Sequence, residues 1–210
     1  MNLTVVEHPL AKHYLTTLRD RTTDNDSFRA AARRLTNTLV MEATKEVPAH
    51  EKSVETPMGT TTGYELADVV AVAVLRAGLG MLDAVVDLIP HVKVGFAGVQ
   101  RDEETAEPIE YYVNLPQVDG ASVLILEPML ATGGSLSWAV DKAKEAGATD
   151  ITCLCVVTAP EGVARMYADH PDVRIVAAAN DTELNDTYYI VPGLGDMGDR
   201  LFGTIDRPQL

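Results

Sequence analysis

The chain is short of cysteine, of lysine and of long apolar runs, and each shortage excludes something. Its 210 residues include two cysteines. These are Cys153 and Cys155, alternate residues of one apolar stretch. Residues i and i+2 of a strand share a face but stand about 6–7 Å apart, a spacing that disfavours a mutual disulfide. No further ligand residues stand beside them, so core packing is the expected role rather than a metal site. No apolar run approaches the roughly 20 residues of a membrane span. The opening MNLTVVEHPLAKHYL mixes charge into its apolar residues and has no signal-peptide core. A cytoplasmic, soluble chain with no membrane partner is expected.

Basic residues are also scarce. Lys and Arg total 17 against 31 Asp and Glu, a formal net charge of −14. That balance argues against nucleic acid as the main partner. It also means that any cation facing an anionic ligand has to be specifically placed. Two readings of the acidic surface stay open: adaptation to high salt, where dense carboxylates remain hydrated and screened, or an ordinary acidic cytosolic surface. The five histidines, at positions 8, 13, 50, 91 and 170, are scattered near prolines and loop ends. Neither a Ser-His-Asp set nor a His/Cys metal cluster emerges from them.

What is present is organised around Val123-Leu-Ile-Leu-Glu-Pro-Met-Leu-Ala-Thr-Gly-Gly-Ser135. Four apolar residues end a buried strand, Glu127 and Pro128 stop it, and Leu136 to Ala146 reads as a helix. A strand, a Gly-Gly turn and a helix N-terminus bring backbone N–H groups and the positive end of a helix dipole to one point, which suits a phosphate. No lysine follows the glycines, so this is not a Walker loop. Glu127 falls where an open α/β sheet places its ligand.

The rest of the chain supplies the sheet. Asp68 to Leu75 is a continuous apolar run, as expected of a parallel strand covered on both faces. Val92–Val99, Val123–Leu126, Ile151–Thr158 and Val173–Ala179 follow, alternating with helical stretches. The expected fold is α/β: a single domain, 1–210, with a doubly wound, mainly parallel five-stranded sheet. Residues 1–46 form an N-terminal helical arm, with Asp26 or Ser27 capping its second helix. Residues 47–64, broken by prolines and glycines, suggest short strands or a hairpin. The charged loop from Gln100, with Tyr111 to Leu115 returning as a strand, makes a hairpin over 100–116.

Two arginines and one glycine-rich segment are further candidates. Arg76 ends a buried strand, where a cation is costly unless paired or bound to an anion. Arg101 opens the acidic loop Arg101-Asp-Glu-Glu-Thr105. Gly193, Gly195 and Gly198 spell G-x-G-x-x-G, but only twelve residues follow, without the long helix and distant acid that a dinucleotide fold needs. The same glycines, with Asp196 and the neighbouring Tyr188 and Tyr189, suit a loop that wraps a small planar ligand with backbone groups.

Taken in order, these segments resemble one family. Glu127 to Ser135 is similar to the phosphoribosyl-diphosphate (PRPP) loop of type I phosphoribosyltransferases, in the form used by uracil phosphoribosyltransferases. Leu75-Arg-Ala-Gly-Leu-Gly-Met81, Arg101-Asp-Glu-Glu-Thr105, Ala159-Pro-Glu-Gly162 and Tyr189-Ile-Val-Pro-Gly-Leu-Gly-Asp-Met-Gly-Asp199 also match in order, and Glu7-His-Pro-Leu10 resembles the usual start. The resemblance spans nearly the whole chain. It implies transfer of a ribosyl 5-phosphate from PRPP to N1 of uracil, giving UMP and diphosphate. By matching position, PRPP would lie against Arg76, Arg101, Glu127, Pro128, Met129, Leu130, Ala131, Thr132, Gly133, Gly134, Ser135 and Asp196. Uracil would lie against backbone groups of Ile190, Gly195 and Met197, with Asp196 alongside, in a base-binding segment 185–210. The resemblance further implies a mobile flap around Arg101, Mg²⁺ held through PRPP with no direct protein ligand, a homo-oligomer (dimer or tetramer), and GTP as an allosteric activator at Ala30, Ala31, Ala32, Arg33 and Arg34. The chain departs from the pattern at Glu127, where the family commonly has Asp, at Met197, where many members have Ala, and at Ala30, a basic position elsewhere. An RNA-binding regulator that keeps a PRPP and UMP site, and a phosphoribosyltransferase for another base, are the alternatives.

Overall fold

The computed structural model describes residues 3–101 and 108–204. The chain opens with β1 (Leu3–Val5), α1 (Pro9–Arg19) and α2 (Asn25–Ala43). His8 caps α1 by accepting the Leu10 N–H on its ring nitrogen, and Pro9 supplies the preset φ of a first helical position. Asp24, not Asp26 or Ser27, caps α2: its backbone is extended, and its carboxylate accepts from the Ser27 N–H at 2.8 Å. Next come β2 (Ala49–Thr56) and β3 (Gly59–Leu66), an antiparallel hairpin. Then follow β4 (Val69–Leu75), α3 (Leu79–Leu88), β5 (Lys93–Arg101), β6 (Pro108–Asn114), β7 (Ser122–Leu126), β8 (Met129–Leu130) and α4 (Gly134–Glu145). The chain continues through β9 (Asp150–Thr158), α5 (Pro160–Asp169), β10 (Arg174–Asn180), β11 (Glu183–Leu184), β12 (Ile190–Val191) and α6 (Met197–Phe202).

The central sheet has the order β1-β10-β9-β7-β4-β5-β6, with β8 added on β9. All its pairings are parallel except that of β5 with β6. The five strands expected from the apolar runs are its middle. Beyond that expectation, β1 lines one edge and β6 the other, so the arm contributes a strand as well as helices. The β5–β6 pair is a hairpin. Residues 102–107, which include most of the charged loop, and the side chain of Arg101 lie outside the described residues, as do 205–210.

Alternation within the strands builds two cores. Val69, Ala71, Leu124, Leu126, Leu154 and Val156 face one side, against α1, α2, α3 and α6. Val70, Val72, Val74, Val123, Ile125, Cys153 and Cys155 face the other, against α4 and α5. Each fully buried large side chain, such as Phe28, Leu124 or Ile125, contributes about 1.5–3 kcal/mol. Both thiols are free and buried, and burial pushes both above their ordinary range.

This winding positions the site. From β4 the chain crosses through α3 to β5. From the adjacent β7 it crosses through α4, on the other face, to β9. The two crossovers leave in opposite directions, so the carboxyl ends of β4 and β7 flank a switch point, where open α/β sheets bind their ligands.

Candidate active site

A cleft of about 310 Å³ opens at that switch point. From the end of β4 come Val74, Leu75, Arg76 and Ala77; from the end of β7 come Glu127, Met129, Ala131 and Ser135; from the C-terminal loops come Tyr188, Tyr189, Ile190, Gly195, Asp196, Met197 and Gly198. Val99 of β5 completes the wall. The cleft thus gathers four stretches spread over more than half of the chain.

The loop after β7 is fixed by backbone bonds. Pro128 O accepts from Val156 N–H at 2.9 Å, and Leu130 O accepts from Ala159 N–H at 2.9 Å. Pro128 and Leu130 therefore stay buried, and the loop reaches α4 as an ordered strap. Gly133 makes the final turn with φ 83°, a left-handed conformation that suits glycine. It caps α4 without a side-chain acceptor, so the first-turn N–H groups, which have no helical partner, gain none from the capping residue. Gly162 packs beneath: a Cβ there would stand 2.3 Å from Ala131 O. The Ala159-Pro-Glu-Gly162 segment is thus the floor of this loop. Thr132 and Ser135 are half-buried at its rim, while Gly133 and Gly134 are buried in the turn.

Arg76 departs from its expected setting. Its strand is buried, but its side chain is 56 % exposed and the guanidinium makes one long contact, 3.3 Å, with Asp199. It follows a cis Leu75–Arg76 peptide. The turn it begins is tight: a Cβ on Gly78 would lie 2.3 Å from Leu126 O. Arg76 is the only cation lining the cleft among the described residues. The carboxylates there are Glu127, half-buried, and Asp196, which caps α6 by accepting the Asp199 N–H at 2.9 Å. No cluster of three metal-ligating side chains occurs among the described residues.

The C-terminal loop meets the cleft through its backbone. Ile190 and Met197 have their side chains in the core, 5 % and 1 % exposed. What they present to the cleft is therefore peptide N–H and C=O. Behind the loop, Asp181 grips Arg19 through both oxygens, at 2.6 and 2.8 Å. Arg19 also donates to Gly193 O at 2.8 Å, and Gly193 N–H donates to Asp181 at 2.9 Å. Arg200 adds bonds to Leu194 O at 2.8 Å and Asp20 O at 2.7 Å, stacked on Phe28. Sequence reasoning missed this clamp, because nothing local marks residues 162 positions apart as partners.

The segment 30–34 lies on α2 and contributes no residue to the cleft lining. Ala31 and Ala32 are buried, Arg33 pairs with Asp87, and Arg34 is exposed. A serine, a histidine and an aspartate do meet on the other face. Ser137 Oγ donates to Asp169 at 2.9 Å and lies 3.0 Å from His170 Nε2. With Ser137 and His170 only 5 % and 4 % exposed, they tie α4 to α5 rather than present a nucleophile.

A mainly parallel sheet whose switch point joins an arginine turn, an acid-led glycine loop and a C-terminal segment lining one cleft has the fold of a type I phosphoribosyltransferase. The solved phosphoribosyltransferase of Corynebacterium diphtheriae shares the fold, with TM-score 0.51 at 17 % identity over 89 % of this chain and 96 % of that one. The family model for uracil phosphoribosyltransferase matches residues 5–204. The chain is 50 % identical over 205 residues to the uracil phosphoribosyltransferase of Salinibacter ruber, covering 97 % of this chain and 98 % of that one. It is 48 % identical over 208 residues to the enzyme of that name from Alkaliphilus oremlandii, covering 96 % and 98 %. The AQ2163 protein of Aquifex aeolicus superposes with TM-score 0.94 at 38 % identity, over 98 % of this chain and all of that one. The chain belongs to the uracil phosphoribosyltransferase family.

Proposed function

We propose that the protein converts uracil and PRPP to UMP and diphosphate in pyrimidine salvage. The observation that carries this is the meeting, at one switch point, of the phosphate loop, the Arg76 turn and the backbone slot of Ile190, Gly195 and Met197. The first-turn N–H groups of α4, with the Thr132 and Ser135 hydroxyls, hold the 5-phosphate. Glu127 accepts from the ribose hydroxyls; its extra methylene relative to Asp lengthens its reach. Arg76, held by a single long contact, leaves Asp199 for the diphosphate. Asp196 sits between the base slot and PRPP.

Bond cleavage at the ribose leaves an oxocarbenium-like centre and a departing diphosphate. The protein's task is to align the base nitrogen, exclude water and meet the charge on the leaving group. No covalent nucleophile is needed. Carboxylates and phosphate oxygens are the hard donors that Mg²⁺ prefers. With Glu127 and Asp196 as the carboxylates lining the cleft, the donor set fits an ion held chiefly by PRPP and water. Such an ion would neutralise diphosphate charge.

The remaining parts of the reading concern regulation and assembly. GTP, if it activates, meets Arg33 and Arg34, since Ala31 and Ala32 face the core. The rate at limiting PRPP, with and without GTP, tests this; an unchanged rate rules it out. The β2–β3 hairpin stands almost wholly exposed, with Tyr64 at 68 % and Met58 at 95 %, which supports a homo-oligomer that sedimentation would size. Two free buried thiols suit a reducing compartment and support a cytoplasmic location. No helix among the described residues is long and apolar enough to cross a membrane.

The deciding experiment supplies PRPP, Mg²⁺ and each nucleobase in turn, at low and high salt, and measures nucleotide product. UMP from uracil is expected. No UMP under either condition overturns the reading, and product from another base alone reassigns the slot.

A further inference from the structure

Tyr188 is the one non-glycine residue with a left-handed backbone among the described residues, with φ 63°. An L side chain adopts that conformation at a cost that glycine avoids. The other positive-φ corners of the same segment, Gly193, Gly195 and Gly203, are all glycine.

The loop holds Tyr188 in place. Asn185 Oδ1 accepts from the Thr187 and Tyr189 N–H groups at 3.0 and 2.8 Å. Asn185 N–H donates to Tyr189 O, and Tyr188 N–H donates to Asn185 O, both at 2.9 Å. These bonds close residues 185–189 into a tight corner that a glycine at 188 would turn equally well. The ring is not there for packing either. Tyr188 belongs to neither hydrophobic core and is 53 % exposed, yet the residue lines the cleft beside Tyr189 and Ile190. Turning φ positive swings the Cα–Cβ bond to the other side of the chain, and the residue that carries it here lines the cleft. Strained residues of this kind cluster at ligand sites, where the surroundings over-determine them.

We propose that Tyr188 is a specificity-determining residue for the base. Its ring forms the wall at the cleft mouth against which the planar heterocycle packs, and it shields the reacting nitrogen from water. This rests on the uracil reading of the slot above. A flat ring with two χ angles presents a large apolar face with little entropy to lose, which suits recognition of a small planar ligand.

Three variants test it, with KM for each substrate and the unfolding temperature as readouts. Tyr188→Gly relieves the backbone and removes the ring. Its unfolding temperature is expected to rise while the KM for uracil increases about five- to tenfold, the scale of a lost aromatic contact. Tyr188→Asn keeps a residue type that tolerates the left-handed corner and also lacks the ring; it is expected to show the same uracil defect. Tyr188→Phe keeps the ring and is expected to match the parent. KM for PRPP is expected to stay within about twofold throughout, because the lost contact is to the base. A merely structural tyrosine gives the opposite pattern, with Tyr188→Gly less stable and both KM values unmoved. Parental KM for uracil in the Gly and Asn variants overturns the proposal. Failure of the underlying reading appears separately, as absence of UMP from the parent enzyme before any variant is compared.

Discussion

Removing Asp181 should unseat the C-terminal loop around Gly193 and destabilise the whole domain. In the parent, the Arg19 side chain is 26 % exposed and that of Asp181 only 5 %. Asp181→Ala leaves a largely buried guanidinium without its counter-charge and Gly193 N–H without its acceptor. Breaking a buried ion pair from one side costs about 3–5 kcal/mol, because the stranded charge keeps its desolvation penalty. Arg19 retains a quarter of its exposure, so water compensates in part and the low end, about 3 kcal/mol, is expected. For a chain of this size that corresponds to a fall of roughly 6–12 °C in the unfolding temperature. Urea unfolding and calorimetry measure both. The double variant Arg19→Met, Asp181→Leu removes both charges and is expected to lose less than the single, since no stranded charge remains. It still lacks both bonds to Gly193, so its KM for uracil stays raised although its stability recovers. A single variant that costs under about 1 kcal/mol, or a double as unstable as the single, refutes the argument that this pair is buried and holds the loop.

Gly162→Ala places a Cβ 2.3 Å from Ala131 O and 2.9 Å from Leu130 O, both backbone. The Glu127–Ser135 loop has to shift, and kcat/KM for PRPP is expected to fall on the order of 10- to 100-fold; an unchanged value removes Gly162 as the floor of the loop. Burial raises both thiols, so a thiol-titrating disulfide reagent should count none in the native protein and two in denaturant. The Ser137 hydroxyl, followed by Arg165, holds the Asp169 carboxyl below its usual value of 3.8. Its stabilising effect is therefore present above that pH and lost as pH falls through the lowered folded value. Ser137→Ala should show a stability deficit near neutrality that shrinks below about pH 4, and a deficit constant with pH counts against the assignment. The two readings of the acidic surface part on one measurement: salt adaptation raises the unfolding midpoint from low to molar KCl, whereas an ordinary acidic surface leaves it level.

What could be read from the chain follows from how far each signal travels along it. Val69 to Leu75 and Val123 to Leu126 are legible because a strand buried on both faces has no polar position to interrupt it, and the residue that ends the run is then conspicuous. Arg76 and Glu127 are such residues, and the sheet brings them to neighbouring strand ends. β1 escapes the same logic: three residues of a half-exposed edge strand form no pattern, and only its pairing of Leu3 with Ile175 makes it a strand. The exposure of Arg76 escapes it too, since a buried strand does not say on which side of its last residue the burial stops. The polar groups that hold the site are harder still. Arg19 and Asp181 sit in stretches that look like any charged helix end and any loop, and a charge carries no mark of its partner. Tyr188 is a third kind of omission. An aromatic side chain beside glycines announces a ligand site, but its left-handed backbone is imposed by Asn185 and Tyr189 together. Only the closed loop shows that this ring is held there at a cost, and a residue kept at a cost in a cleft is the one whose removal should be measured first.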